Sequence, residues 1–410
     1  MTLNRTTTCL AAGVLAMLLA APAFAQDMQG FQWFAPADVS PYGEGPAPPE
    51  GYFFSYEGLY WNVQAPDVVT IGSPNPRTAD YLVNLIFGPP NFIGQEWYSI
   101  QSYQQYSNQT TAPLSDEFYP GQRIEFGRTE QDGGWLVSVW NLRDWKMGFF
   151  GEGPVDITFE DPFGYLFGVI GQGQVVTNVD PQTQRATAFA TVNVSGFLPV
   201  TFGSMQVENK IDTWGVEADA VRRTHRLHHG GYLEFMLGAR YLEFNERFSV
   251  QAETSLLALI SPQALGQSEW FCNAENHVIG PNIGIRYFHQ HVRFRFNAEG
   301  RFTAGYNSQN LRTAGRFTTI DTFPWLGGAF DNKTYMDQFT PVVEGRFELH
   351  YQLTRAIFLK VGYTALWMGN VARAPEVLEY SVPVMGINTD AANDGDVLMS
   401  GLTMGISINR

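Results

Sequence analysis

Between Gly345 and Leu353 the odd positions read Gly, Phe, Leu, Tyr, Leu and the even ones Arg, Glu, His, Gln. A Thr-Arg pair follows. Then Ile357, Leu359, Val361, Tyr363, Ala365 and Trp367 take the odd positions again. Strict period-2 alternation marks a strand with one apolar and one polar face. The same pattern recurs at 52–62, 121–129, 134–142, 211–221, 231–243, 278–288, 291–303, 341–353, 356–368 and 397–409. The cleanest case is 291–303. There Val292, Phe294, Phe296, Ala298, Gly300 and Phe302 alternate with Arg293, Arg295, Asn297, Glu299 and Arg301. Pro281 and Pro341 place the true starts of two of these strands just after them, since proline is confined to strand ends and edges.

The spacing of the segments carries a second signal. Short links join 121–129 to 134–142, 211–221 to 231–243, 278–288 to 291–303, and 341–353 to 356–368. The remaining gaps, 63–120, 143–210, 244–277, 304–340 and 369–396, are long. Short and long connections therefore alternate. That is the order expected of a transmembrane antiparallel up-and-down β-barrel with short periplasmic turns and long extracellular loops. Ten strands are predicted. Twelve result if 157–160 and 190–207 add a further pair. A soluble sheet with one wet face gives the same alternation. The placement of Trp and Tyr separates the two. Trp214, Tyr241 and Trp367 fall on the apolar face near the long-connection ends and Tyr287 and Tyr351 near the short-turn ends, with Tyr363 also on the apolar face. These six are the predicted aromatic girdle.

Composition narrows the class. The chain has 410 residues, 41 Gly, 31 Phe and 14% aromatics. No stretch beyond residue 25 is apolar and long enough to cross a bilayer as a helix. Residues 1–25 carry Arg5, an apolar run from Leu10 to Ala21, and Ala23-Phe24-Ala25, the pattern of a cleaved secretory signal. Residues 26–50 are proline-rich and patternless, and are predicted to be an extended or disordered periplasmic arm. The barrel is expected over 51–410. Without the leader Cys272 is the single cysteine, so no internal disulfide is available. The net charge of −15 offers no basic surface for nucleic acid.

The motifs GVEADAVRR (215–223), GARYLEFNERF (238–248), NHVIGPNIGIRYF (276–288) and NAEGRFTAGYNSQN (297–310), with GLTMGISINR (401–410), carry a family likeness. In them the chain resembles the bacterial outer-membrane porin-like group numbered as the seventh β-barrel porin family. The resemblance implies outer-membrane placement and a porin-type role, with outer-membrane lipid, the barrel assembly machinery and small hydrophilic solutes as partners. It carries no catalytic or binding residues over. The chain ends Ile406-Ser407-Ile408-Asn409-Arg410, without the terminal aromatic that the assembly machinery often reads.

On the inner face the alternation places Glu217, Asp219, Glu234, Arg240, Arg286, Arg293, Arg295, Glu299, Arg301, Glu344, Arg346, Glu348, His350 and Lys360. They are the candidate lumen-lining residues. Two readings follow. Either they line a selective channel for hydrophilic solutes, or they pair and plug a narrow interior, leaving a structural or surface-interaction barrel. A secreted soluble β protein is a third reading. No enzyme is expected. His350 and Ser407 could form a base and nucleophile only if register joined them. His225, Arg226, His228 and His229 form a basic turn without metal-site spacing. NTDAANDGD (388–396) has oxygen donors but lacks an EF-hand pattern. No cofactor motif is visible.

Overall fold

A computed structural model describes residues 50–73, 77–85, 97–105, 107–160, 176–179, 186–189, 197–225, 227, 231–254, 266–318 and 328–409. The predicted leader, most of the arm, and Arg226, His228 and His229 lie outside them.

Ten strands close into one antiparallel barrel. They are β1 (Gly51–Val63), β2 (Glu117–Thr129), β3 (Gly133–Glu160), β4 (Phe197–Arg223), β5 (Tyr232–Thr254), β6 (Ser268–His291), β7 (Phe294–Phe317), β8 (Gly328–Gln352), β9 (Ile357–Gly369) and β10 (Asp396–Asn409). Each strand pairs with the next, and β1 closes the ring on β10. The further pair considered for twelve strands does not form. Residues 157–160 end β3, and 197–207 begin β4 and pair back onto β3.

The gaps read as loops are largely strand. β3 to β8 run 23 to 28 residues, far more than the roughly ten needed to cross hydrocarbon. β5 shows why. Up to Tyr241 its outward residues are Phe235, Leu237, Ala239 and Tyr241, and its inward ones include Glu234 and Arg240. Beyond that point odd residues still face out, but the apolar and polar residues exchange faces. Glu243, Asn245, Arg247, Ser249 and Gln251 face out, while Leu242, Phe244, Phe248, Val250 and Ala252 are buried inside. β6, β7 and β4 reverse in the same way.

The barrel therefore has two tiers. The lower tier, at the short-turn end, is apolar outside and charged inside, as hydrocarbon requires. The upper tier is polar outside and apolar inside, as water requires. Phe159, Phe202, Trp270, Phe317 and Tyr380 meet at its centre, with ring centroids 5.6 to 6.4 Å apart. Only β3 to β8 build this tier. β1, β2, β9 and β10 are 13 or 14 residues long and stop near the boundary.

The predicted girdle residues all face outward. Trp214 packs on Tyr241 at 5.2 Å between centroids, at the parity boundary. Tyr241 continues through register partners Ile279, Tyr306 and Phe339. Trp367 donates to Asp396 at 3.0 Å near the outer end of β9. Tyr287 pairs Leu233, and Tyr351 packs on Phe294 near the turns. Tyr363 departs from a belt position. It lies midway along β9, where its hydroxyl donates to Ser400 at 3.0 Å, a partner the phenol needs within hydrocarbon.

The two tiers make opposite demands on the same substitution. Phe347→Arg, on the lower outer face where Phe347 is 65% exposed, should cost about 2–4 kcal/mol. Asn245→Arg, on the upper outer face, should change stability by under about 0.5 kcal/mol. Urea unfolding in lipid vesicles, read by heat-modifiable gel mobility, measures both.

Candidate functional site: a lumen closed in two tiers

The lower interior holds Glu57, Glu125, Glu217, Asp219, Glu234, Glu299, Glu344 and Glu348, matched in number by Arg123, Arg223, Arg240, Arg286, Arg295, Arg301, Arg346 and Lys360. All except Arg286, whose side chain keeps 12% exposure, are nine-tenths buried or nearly so. An unpaired charge there would be prohibitively costly, so each acid is held by bases.

Glu344 of β8 is the hub. It accepts from Arg123 of β2 at 3.3 Å, from Arg240 of β5 at 2.6 Å and from Arg346 of its own strand at 3.1 Å. β2 and β5 lie on opposite sides of β8 in the ring, so these bonds cross the lumen. Arg346 crosses back to Glu125 at 2.6 Å. Arg301 of β7 reaches Glu217 and Glu299 at close contact and Asp219 at 3.5 Å. Arg286 pairs Glu299 closely and lies 3.8 Å from Glu234, which also accepts from Arg223 at 2.7 Å. Lys360 binds Glu57 closely and stands 3.5 Å from Glu348. His350 is engaged by Glu348 and Asn297, each at 3.0 Å, and no hydrogen bond joins it to Ser407. Arg295 stacks over Phe358 at 4.6 Å and donates to Gln290 at 3.2 Å.

Arg293 does not join this set. β6 and β7 are linked by the two-residue turn Val292-Arg293, with Val292 at φ 54°. The turn removes Arg293 from the strand alternation, and its guanidinium lies 3.5 Å from the Tyr351 hydroxyl on the outer face. The sequence reading also missed Glu57, Arg123, Glu125 and Arg223. The strands of Glu57, Arg123 and Glu125 alternate less cleanly, since Trp61 and Tyr119 share the inner face with the charges, and Arg223 lies just beyond the 211–221 segment. Inward Gly215 accommodates Trp140, whose Nε1 would stand 2.7 Å from a Cβ at that position.

The upper interior is closed by the chain between β9 and β10. This strap, 370–395, enters the barrel instead of forming an external loop. Val371, Ala372, Ala374, Val377, Tyr380, Val382, Met385 and Ala392 are buried in the apolar core. Several polar residues that β6 to β8 point inward here have a strap partner, while Asn307 donates to Asn276 and Ser268 to the Gly266 carbonyl. Asn276 donates to the Ala372 carbonyl at 3.0 Å and accepts from its N–H at 2.9 Å. Gln309 reaches the Asn370 and Ala392 carbonyls. Thr313 and Asn332 donate to the Met385 carbonyl, and Thr340 to that of Asn370. Arg373, 1% exposed, clamps Glu246 at 3.0 Å and donates to the carbonyls of Asp396 and Gln64. Such bonds satisfy a non-strand backbone in a dry interior.

Residues 388–396, considered for calcium, form an Asx-type turn instead. Asn388 Oδ1 accepts from the N–H groups of Asp390 and Ala391 ahead of the short 3-10 turn Ala391–Asn393. Cys272 is fully buried, and burial pushes its thiol well above the ordinary range, which disfavours the reactive thiolate. A cleft of about 710 Å³ opens beside the strap, lined by Val68, Glu160, Glu376 and Glu379 among others. Burial raises the Glu376 carboxyl above its usual value.

Removing one member of a buried pair should be far worse than loosening the strap. Glu344→Gln strands three guanidinium groups and should cost about 3–5 kcal/mol, read as a lowered urea midpoint. Asn276→Ala should leave the barrel midpoint within about 1–3 kcal/mol of the parent. It should, however, speed protease cleavage within 370–395, visible by mass spectrometry of the fragments.

The family model described as "Putative beta barrel porin-7 (BBP7)" matches residues 108–409. No curated protein matches the sequence. Among solved structures, the outer membrane protease OmpT from Escherichia coli is 8% identical, covers 90% of this chain and 100% of its own, and has a TM-score of 0.39. A Pseudomonas aeruginosa FadL homologue is 11% identical over 87% of this chain and 90% of its own, with a TM-score of 0.25. The Ralstonia pickettii toluene transporter TbuX is 8% identical over 92% of each chain, with a TM-score of 0.20. With the family match spanning nine of the ten barrel strands, the chain belongs to the beta barrel porin-7 family and is a porin-like β-barrel of the outer membrane.

Proposed function

We propose that the protein is a sealed barrel, a rigid outer-membrane body that holds its upper tier at the cell surface and conducts no solute at rest. The observation that carries this reading is the cross-lumen network on Glu344. It joins β2, β5 and β8 through groups that are almost wholly buried. Ten strands lie near the eight that side chains fill, and well below the 16–18 that leave a water channel. The strap adds a second, apolar obstruction above the first. The role is non-enzymatic. The bilayer and the barrel assembly machinery are the partners it requires.

Passive diffusion of small hydrophilic solutes is the second reading, and one feature favours it. The strap is held mainly by side chains, with one backbone bridge to Glu160 at the end of β3, so it could leave without opening the wall. Conduction would still require the lower ion pairs to part, because no solute passes between guanidinium and carboxylate groups in contact.

Planar-bilayer recording on the refolded full-length protein distinguishes the two. The sealed reading expects no steady conductance steps from the parent protein or from Asn276→Ala. Uniform ohmic steps from the parent would overturn it. If those steps also changed cation/anion preference on Arg301→Glu, the diffusion reading would stand in its place.

A further inference from the structure

Among the described residues the upper half of β8 has a strand neighbour on one side only. β8 pairs β7 over its whole length, from Gly328↔Phe317 to Tyr351↔Phe294. With β9 it pairs only from Val342↔Met368 towards the turn, because β9 ends at Gly369 and the chain enters the strap. Among the described residues no backbone hydrogen bond leaves the free side between Gly328 and Thr340. On this side the Asn370 side chain donates to the Phe339 carbonyl at 2.9 Å, and the strap segment Gly386–Ile387 lies nearby. An antiparallel edge turns the N–H and C=O of alternate residues away from its one neighbour, ready for another strand.

The opposite rim of the upper wall is handled differently. The free side of β3 is covered by the chain's own loops. Asn108 donates to the Asp156 carbonyl, Ser73 to that of Thr158, Glu160 to that of Tyr380 and Val382 to that of Glu160, all at 2.6 to 2.9 Å. Of the usual protections the β8 edge lacks proline and any register shift against β7, and keeps only charged side chains. Its outward row reads Asp331, Lys333, Tyr335, Asp337, with Tyr335 74% exposed. It stands above the parity boundary, in water.

We propose that this edge is a strand-addition site for an extended peptide segment of another protein at the cell surface. Main-chain bonds supply the affinity, as in other sheet-edge recognition. Register comes from charge. An antiparallel guest needs a base opposite Asp337, an acid opposite Lys333 and an aromatic or β-branched residue opposite Tyr335. A second copy is a poor occupant. Two barrels in one membrane both send β8 from the outer to the inner side, so their edges cannot run antiparallel. Their tilt makes strands related by an axis along the membrane normal cross. The site does not depend on whether the lumen conducts.

The test uses full-length protein in detergent and a fluorescent synthetic peptide of about eleven residues. The peptide alternates Lys, Tyr and Glu to face Asp337, Tyr335 and Lys333, and a control peptide has Lys and Glu exchanged. Saturable anisotropy is expected, with the control weaker by roughly tenfold. The double variant Lys333→Glu with Asp337→Lys should reverse that preference while keeping heat-modifiable mobility. Hydrogen exchange at alternate amides of 329–339 should be fast in the free protein and slowed by the peptide. Three results would overturn the proposal. They are no saturable binding of either peptide, edge amides already protected in the monomer, and a sedimenting dimer that Tyr335→Asp dissociates.

Discussion

Hydrocarbon offers no partner to a hydrogen-bond donor and no hydration to a charge, and the rest of this barrel follows from that. The backbone must close on itself, so β1 meets β10. Apolar side chains must face out, so polar ones crowd into a ten-stranded lumen too narrow to keep them hydrated. Charges confined there must neutralise one another locally. They do so in equal number, within a chain whose net charge is −15. The acid excess lies elsewhere.

Above the membrane the constraint changes sign while the strands continue. Water outside favours polar outward residues, and the interior becomes an ordinary apolar core. With four of the ten strands stopping near the boundary, six strands alone cannot enclose that core. The strap supplies the missing filling. Among the polar exceptions on the inner wall, Glu246, Asn276, Gln309, Thr313 and Thr340 engage its backbone or its arginine.

The parity reversal also decides how much was legible in the sequence. All ten strands were visible because alternation within hydrocarbon persists along each of them, cleanly on β7 and less so on β1 and β2. Their outer halves were not. At Tyr241–Leu242, and again near Tyr306 on β7, the apolar residues move from one parity to the other, and a single-phase reading ends the strand close to there. Most of the lumen charges were identified by their parity, but their pairing was not. Whether Arg240 meets Glu344 depends on distance across the barrel, which register and closure set together. Arg293 went astray because a two-residue turn looks like continued alternation when its first residue is valine. The strap was invisible, since a short run such as Val371-Ala372 gives no sign that it will be buried inside a sheet.

Arg373 ties the order of assembly to the final shape. It touches Gln64 just beyond the first strand, Asp396 at the start of the last, and Glu246 on the fifth. Those three points come together only when the seam between the first and last strands has zipped. A barrel arrested with that seam open would hold the strap's alanines and valines in water, together with an upper core lacking its centre. Seating of the strap is thus a late event that rewards a correctly closed ring, and misregistered intermediates would remain sticky and open to proteases.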